Sequence, residues 1–143
     1  QNKNFNAVNF DKYLAELISH SKQANYSLNK QIEIDFTTDD IQLEIDTAVP
    51  LGLILNELIN NAYKHAFKEK QSGAISIALK EVDKKSYQLL FKDNGNGFDP
   101  KILTQNEGIG LKSIEKKVEQ MGGTFTIDSI LTKGTTIIID IPL

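Results

Sequence analysis

The stretch VPLGLILNELINNAYKHAF, residues 49–67, constrains the fold more than any other, because its periodicity demands a helix and only part of that helix can be buried. Pro50 suits the first turn of a helix running to about Ala66 or Phe67. On a wheel of about 100° per residue with Glu57 at zero, Leu51, Ile54, Leu55, Leu58, Ala62 and Ala66 span roughly 60° to 180°. Glu57, Asn61, Lys64, His65 and Lys68 cluster between roughly −20° and 80°, a polar stripe along the edge of the apolar one. Asn56, Asn60 and Tyr63 point elsewhere. A merely solvated flank would mix in Ser, Gln or further Glu. Here a carboxylate, an amide, an ammonium and an imidazole follow one another at i, i+4, i+7 and i+8. Such a set suits a nucleotide: an amide oxygen for Mg²⁺, an ammonium for phosphate, an aromatic for base or sugar, a carboxylate for a proton.

The flanking patterns supply a sheet for this helix to cover. Phe10 to Ala24 places Tyr13, Leu14, Leu17, Ile18 and Ser21 at helical spacing, with Asp11 suited to the N-terminus. QIEIDFTT and IQLEID alternate, with Ile32, Ile34 and Phe36, then Ile41, Leu43 and Ile45, on one face each, joined through Asp39-Asp40. AISIALKEV and SYQLLFKDN read as two more strands around the turn Asp83-Lys84-Lys85. Leu111, Ile114, Val118 and Met121 mark a third helix ending at Gly122-Gly123, and TFTIDSI and TTIIIDIPL close the chain as strands. Six strands in adjacent pairs and three helices predict an α+β sandwich, with the helices layered on one face of a mixed sheet. At 143 residues, with 40% apolar residues, one domain covering 1–143 is expected.

Composition removes several functions. No cysteine is present, which excludes disulfides, thiolate metal sites and cysteine nucleophiles, and two widely separated histidines, His20 and His65, make poor zinc ligands. A net charge of −3 offers no broad basic footprint for nucleic acid or an anionic membrane. The apolar runs fall far short of the roughly 18 residues that a membrane span needs, and no signal peptide is visible. A cytosolic chain is expected, and its start at Gln1 without Met suits a piece of a larger protein.

Two glycine motifs follow the polar stripe. In KDNGNGFDP, Asp93 ends a strand and Gly95 and Gly97 let the backbone take positive φ and come close to a ligand. Asp93 can accept a hydrogen bond from an exocyclic amine such as that of adenine. A plain Asn-Gly turn is the simpler reading of the same residues. A calcium loop is excluded by Gly95, where an oxygen ligand belongs, and by Thr104 at the twelfth position. In NEGIGLKSIEKK, Gly108 and Gly110 precede a helix whose free N–H groups favour phosphate. Leu111 before Lys112 rules out a P-loop, and the absence of a first βαβ strand rules out a dinucleotide fingerprint.

Taken together, Glu57-x-x-x-Asn61-Ala62-x-Lys64-His65, Asp93-x-Gly95-x-Gly97, Gly108-x-Gly110-Leu111 and Gly134-Thr135 before the final strand resemble the ATP-binding catalytic domain of bacterial sensor histidine kinases, in the superfamily of gyrase, Hsp90 and MutL. The resemblance covers nearly the whole chain and is strongest for the subgroup with Glu four residues before the key Asn and a short ATP lid. It implies a Bergerat-type two-layer sandwich with a mostly antiparallel sheet. It also implies that Asn61 ligates Mg²⁺, Lys64 meets the phosphates, His65 lines the nucleotide pocket and Asp93 takes the adenine amine. Gly95 and Gly97 would shape the base pocket, Gly108, Gly110 and Leu111 would form the lid's hinge motif, and Thr135, or by register its neighbour Thr136, would support Asp93. Glu57 is the candidate base.

The phosphoacceptor histidine that the resemblance requires sits on a dimerising helical hairpin, expected upstream, and His20 lacks the charged neighbour of an acceptor motif. The expected partners are therefore that hairpin and the receiver domain of a response regulator, with ATP and Mg²⁺ as cofactors and little turnover by the isolated, monomeric chain. Two rivals share much of the pattern: an anti-sigma-factor-type serine kinase, disfavoured by Lys64 and GGTFTIDS, and a degenerate interaction module, disfavoured by intact Asn61, Asp93 and glycine pairs.

Overall fold

The structure is a computed structural model that describes residues 7–67, 70–97 and 109–142. A short strand, β1 (Ala7–Asn9), leads directly into α1 (Phe10–Ala24). The switch is local chemistry: the Asn9 side chain caps α1 by accepting from the Lys12 N–H at 3.3 Å, and Asp11 sits at the positive end of the helix dipole. Phe10, Leu14 and Ile18 form its buried face, at the spacing the sequence shows.

The main sheet contains β2 (Gln31–Thr38), β4 (Ser72–Val82), β5 (Ser86–Asp93), β6 (Thr124–Ile130) and β7 (Gly134–Pro142), in the order β2-β4-β5-β7-β6. β2 and β4 run parallel and the other neighbours antiparallel, so the sheet is mixed and mostly antiparallel. Register aligns its inward residues in rows, one of which is Phe36, Ile77, Phe91, Ile137 and Ile127, and another Thr38, Leu79, Leu89, Ile139 and Phe125. The buried members of these rows share one core with Leu51, Ile54, Leu55, Leu58 and Ile59 of α2 (Ile45–Asn61), and with Ile114 and Val118 of α3 (Ile109–Gln120). Helices on one face of a five-stranded sheet give the two-layer α+β architecture expected.

Two boundaries differ from the expectation. The run IQLEID yields only a three-residue strand, β3 (Gln42–Glu44), which pairs antiparallel with β1 in a separate small sheet rather than with β2. Seven strands are therefore formed among the described residues, not six. Ile41 and Leu43 are buried, but Ile45 is not, because α2 already begins there. Pro50 accordingly lies in the second turn of α2 and not the first. Its missing N–H leaves the Asp46 carbonyl without a helical donor, a loss that water can make good at an exposed residue.

The flank of α2 bearing Asn56 and Asn60 meets α1 through polar contacts. Ser21 Oγ donates to Asn56 Oδ1 at 3.0 Å, and the Asn25 side-chain amide donates to Asn60 Oδ1 at 2.9 Å and to the Ser21 carbonyl at 2.8 Å. These bonds fix the rotation of α2 about its own axis, and with it the direction of the Glu57–Asn61 stripe. Ser21→Ala removes a buried donor and is expected to cost about 1 kcal/mol. A lower urea midpoint at unchanged slope is the check; an unchanged midpoint would show that the network does not hold the helix.

Candidate active site

The polar stripe of α2 is walled at two places by other elements. At its start, Glu57 Oε1 is ion-paired with the Lys117 ammonium of α3. At its end, Ala62–Ala66 close as a π-helical turn, in which the Phe67 N–H bonds the Ala62 carbonyl at 3.0 Å. Tyr63 and Phe67 are buried by this turn, while Lys64 and His65 face outward. Asn61, the last α-helical residue, is half-buried between the two walls. Lys30, reaching from the loop before β2, covers the end of the turn by donating to the Phe67 and Lys70 carbonyls.

The glycine motif after β5 docks on that same turn. The Asn96 N–H bonds the Ala66 carbonyl at 2.8 Å, and the Asn94 side chain accepts from Ala74 at 2.8 Å, tying the loop to β4. Gly95 lies so close to Ala66 that a Cβ would strike its carbonyl, and Gly97, at φ +64, passes equally close to the Ile130 carbonyl. These glycines therefore let the loop press against both α2 and the β6–β7 hairpin, which Thr132 N–H to Asn96 O at 2.6 Å holds from the far side.

Asp93 occupies an inward position of β5, in a row with Ile34, Ile75, Thr135 and Ser129. Burial pushes its carboxyl above the ordinary aspartate value, while the N–H groups of Gly95, at 2.8 Å, and Thr135 act in the opposite direction and favour the charge. Register answers the question of which threonine stands beside it: Thr135 lies opposite Asp93, and Thr136 opposite Lys92. The Thr135 hydroxyl is paired with Ser129 Oγ at 2.8 Å, both buried. A desolvated carboxylate held by two N–H donors at the end of a strand is well suited to receive an amine from a ligand.

The third motif is only partly described. Gly110 is the second residue of α3 and Leu111, half-buried, the third, whereas Gly108 lies outside the described residues, as do Lys68 and the expected lid. For Mg²⁺, no group of three or more His, Cys, Asp or Glu side chains is placed to hold a metal among the described residues. Asn61 supplies one neutral oxygen, which fits an ion that takes its other ligands from phosphates and water. His20 lines a groove of about 410 Å³ between α1 and α2, with Tyr13, Leu17 and Leu53, on the flank next to the polar stripe. No helix among the described residues is long and apolar enough to cross a membrane.

Two residues of this site escaped the sequence. Lys117 precedes Val118 in the apolar stripe of α3, and nothing local says that it meets α2. Ser129 did leave a signal, because it falls where the alternation of Phe125 and Ile127 asks for a third apolar residue.

Residues 46–143 match the family described as histidine kinase-, DNA gyrase B- and HSP90-like ATPase. The chain is 35% identical over 121 residues to the signal transduction histidine-protein kinase/phosphatase DegS of Bacillus subtilis, covering 80% of this chain and 30% of that protein. It is also 35% identical to the sensor histidine kinase YdfH of the same organism, over 71% of this chain and 24% of that one. Among solved structures, the histidine kinase domain of the Erythrobacter litoralis EL346 blue-light activated histidine kinase superposes with a TM-score of 0.74 at 26% identity, over 90% of this chain and 60% of that one. The chain spans less than a third of the length of the curated relatives it matches.

Proposed function

From its membership of the histidine kinase-, DNA gyrase B- and HSP90-like ATPase family, as the catalytic ATP-binding domain of a sensor histidine kinase, we propose that the chain binds Mg-ATP and transfers the γ-phosphoryl group to a histidine on a separate dimerisation hairpin, for onward transfer to a response-regulator aspartate. The single observation that carries the nucleotide site is Asp93: a buried carboxylate at the end of β5, braced by Gly95 and Thr135, just before a loop docked on the turn that continues the helix bearing Asn61. On this reading residues 1–143 are one catalytic domain, cytoplasmic and monomeric by itself, whose hairpin lies elsewhere in the parent kinase.

Each side chain then has a task. Asp93 accepts from the adenine amine, with Thr135 in support; Gly95 and Gly97 shape the loop around the base, and His65 lines the pocket. Lys64 meets the phosphates, Asn61 would hold Mg²⁺, and Gly108, Gly110 and Leu111 form the motif over the phosphates. A bound Mg²⁺ would supply charge neutralisation on the transferred group. The acceptor imidazole nitrogen attacks the γ-phosphorus, the bond to the β–γ bridging oxygen breaks, ADP leaves, and Glu57 takes the imidazole proton.

Calorimetric titration with a non-hydrolysable ATP analogue, with and without Mg²⁺, tests the nucleotide site. Micromolar, Mg²⁺-strengthened binding that Asp93→Ala abolishes is expected. A folded chain that binds no nucleotide would sink the reading and leave a degenerate interaction module in its place.

A further inference from the structure

The ion pair between Glu57 and Lys117 is poorly placed to stabilise the fold. The side chains are 34% and 38% exposed respectively, and pairs this open to water contribute little to stability. It nevertheless restrains the very carboxylate assigned to proton transfer. Ile114 and Val118 of α3 are fully buried in the core, so the backbone from which Lys117 projects is held firmly beside α2. The ammonium takes Oε1 of Glu57, so on the kinase reading Oε2 is the oxygen that would receive the proton. Asn61 follows one helical turn along the same stripe, so any rotation of the carboxylate also alters its distance from the metal ligand.

We propose that Lys117 is a positioning residue for phosphoryl transfer: by holding Oε1 it fixes the orientation in which Glu57 receives the proton of the acceptor imidazole. This rests on the kinase reading above. A carboxylate free to rotate about its terminal bonds spends much of its time misdirected, and orientation of this kind controls rate without changing affinity for a substrate bound elsewhere. Because α3 begins at Ile109, inside the second glycine motif, Lys117 also ties the helix that carries Gly110 to the base.

The test separates the roles. Single-turnover transfer from ATP is measured in the full-length kinase with Lys117, Lys117→Met and Lys117→Arg, beside ATP titration and thermal melting of the 143-residue chain. Lys117→Met is expected to slow transfer about tenfold with unchanged ATP affinity and melting temperature, and Lys117→Arg, which keeps the charge, to restore most of the rate. A Lys117→Met rate equal to or above that of the parent overturns the proposal, the pair then being a passive contact or a brake. So does an equal loss of ATP affinity, which would make Lys117 a phosphate ligand. Failure of the kinase reading itself would show separately, as absence of ATP binding by the unaltered chain.

Discussion

An Asp93→Asn variant will bind ATP roughly 10- to 150-fold more weakly than the parent, the range expected when a hydrogen bond to a charged group is lost, and it will melt no lower. The two halves of this result have one cause. Burial raises the Asp93 carboxyl above its ordinary value, so the ionised form opposes folding. By linkage, the stability that Asp93 contributes is fully present below the unfolded value and is lost as pH rises through the higher folded one. At neutral pH an uncharged amide escapes this loss, and its oxygen can still accept from Gly95. What it lacks is the carboxylate's attraction for an amine. The melting difference between the two proteins should therefore grow as pH rises through the raised value and vanish in strong acid. Calorimetry and melting curves across pH read both effects, and normal ATP binding by a destabilised variant would remove Asp93 from the adenine site.

Glu57→Gln is expected to slow phosphoryl transfer by roughly 10²- to 10⁴-fold while leaving ATP affinity within about threefold, the range for loss of a positioned general base. The amide keeps the shape of the side chain but cannot take a proton. Single-turnover transfer in the full-length kinase, with nucleotide titration of the chain, gives the two numbers. A rate within a factor of a few of the parent would mean that placement and charge neutralisation carry the reaction and that Glu57 serves in orientation alone.

The parts of the fold legible in the sequence are those set by local period. Leu51, Ile54, Leu55, Leu58 and Ala62 are buried as the wheel requires, since a helical repeat has the same phase whatever it packs against. Pairing is not local in this way. β3 has the alternation of a sheet strand, but only the assembled structure shows that β1 takes it as partner, while β2 turns to β4 across the whole of α2. The helix start at Ile45 is masked by Pro50, a strong N-terminal signal that the second turn also tolerates where the residue whose carbonyl loses its donor, Asp46, is exposed. In the site, Asp93, Gly95 and Gly97 announce themselves through residue type. Lys117 does not, because a lysine on an amphipathic helix looks like solvation until the neighbouring helix is in place.

The π-helical turn at Ala62–Ala66 has a consequence for how this chain tolerates change in length. Five residues there fill a turn that an α-helix completes in fewer, so the segment behaves as a helix carrying one surplus residue. Deleting a single residue from it would let the turn close as an α-helical one and would change which side chains it presents. Because the wide turn and an α turn both close one revolution between Ala62 and Phe67, the chain beyond would keep nearly its phase, while the side chains inside the turn would move round the axis relative to Glu57 and Asn61. The surplus residue is a phase shifter: it turns the Lys64 and His65 side chains round the axis relative to the α-helical stripe, and so decouples where they point from where the helix must end to meet the glycine loop.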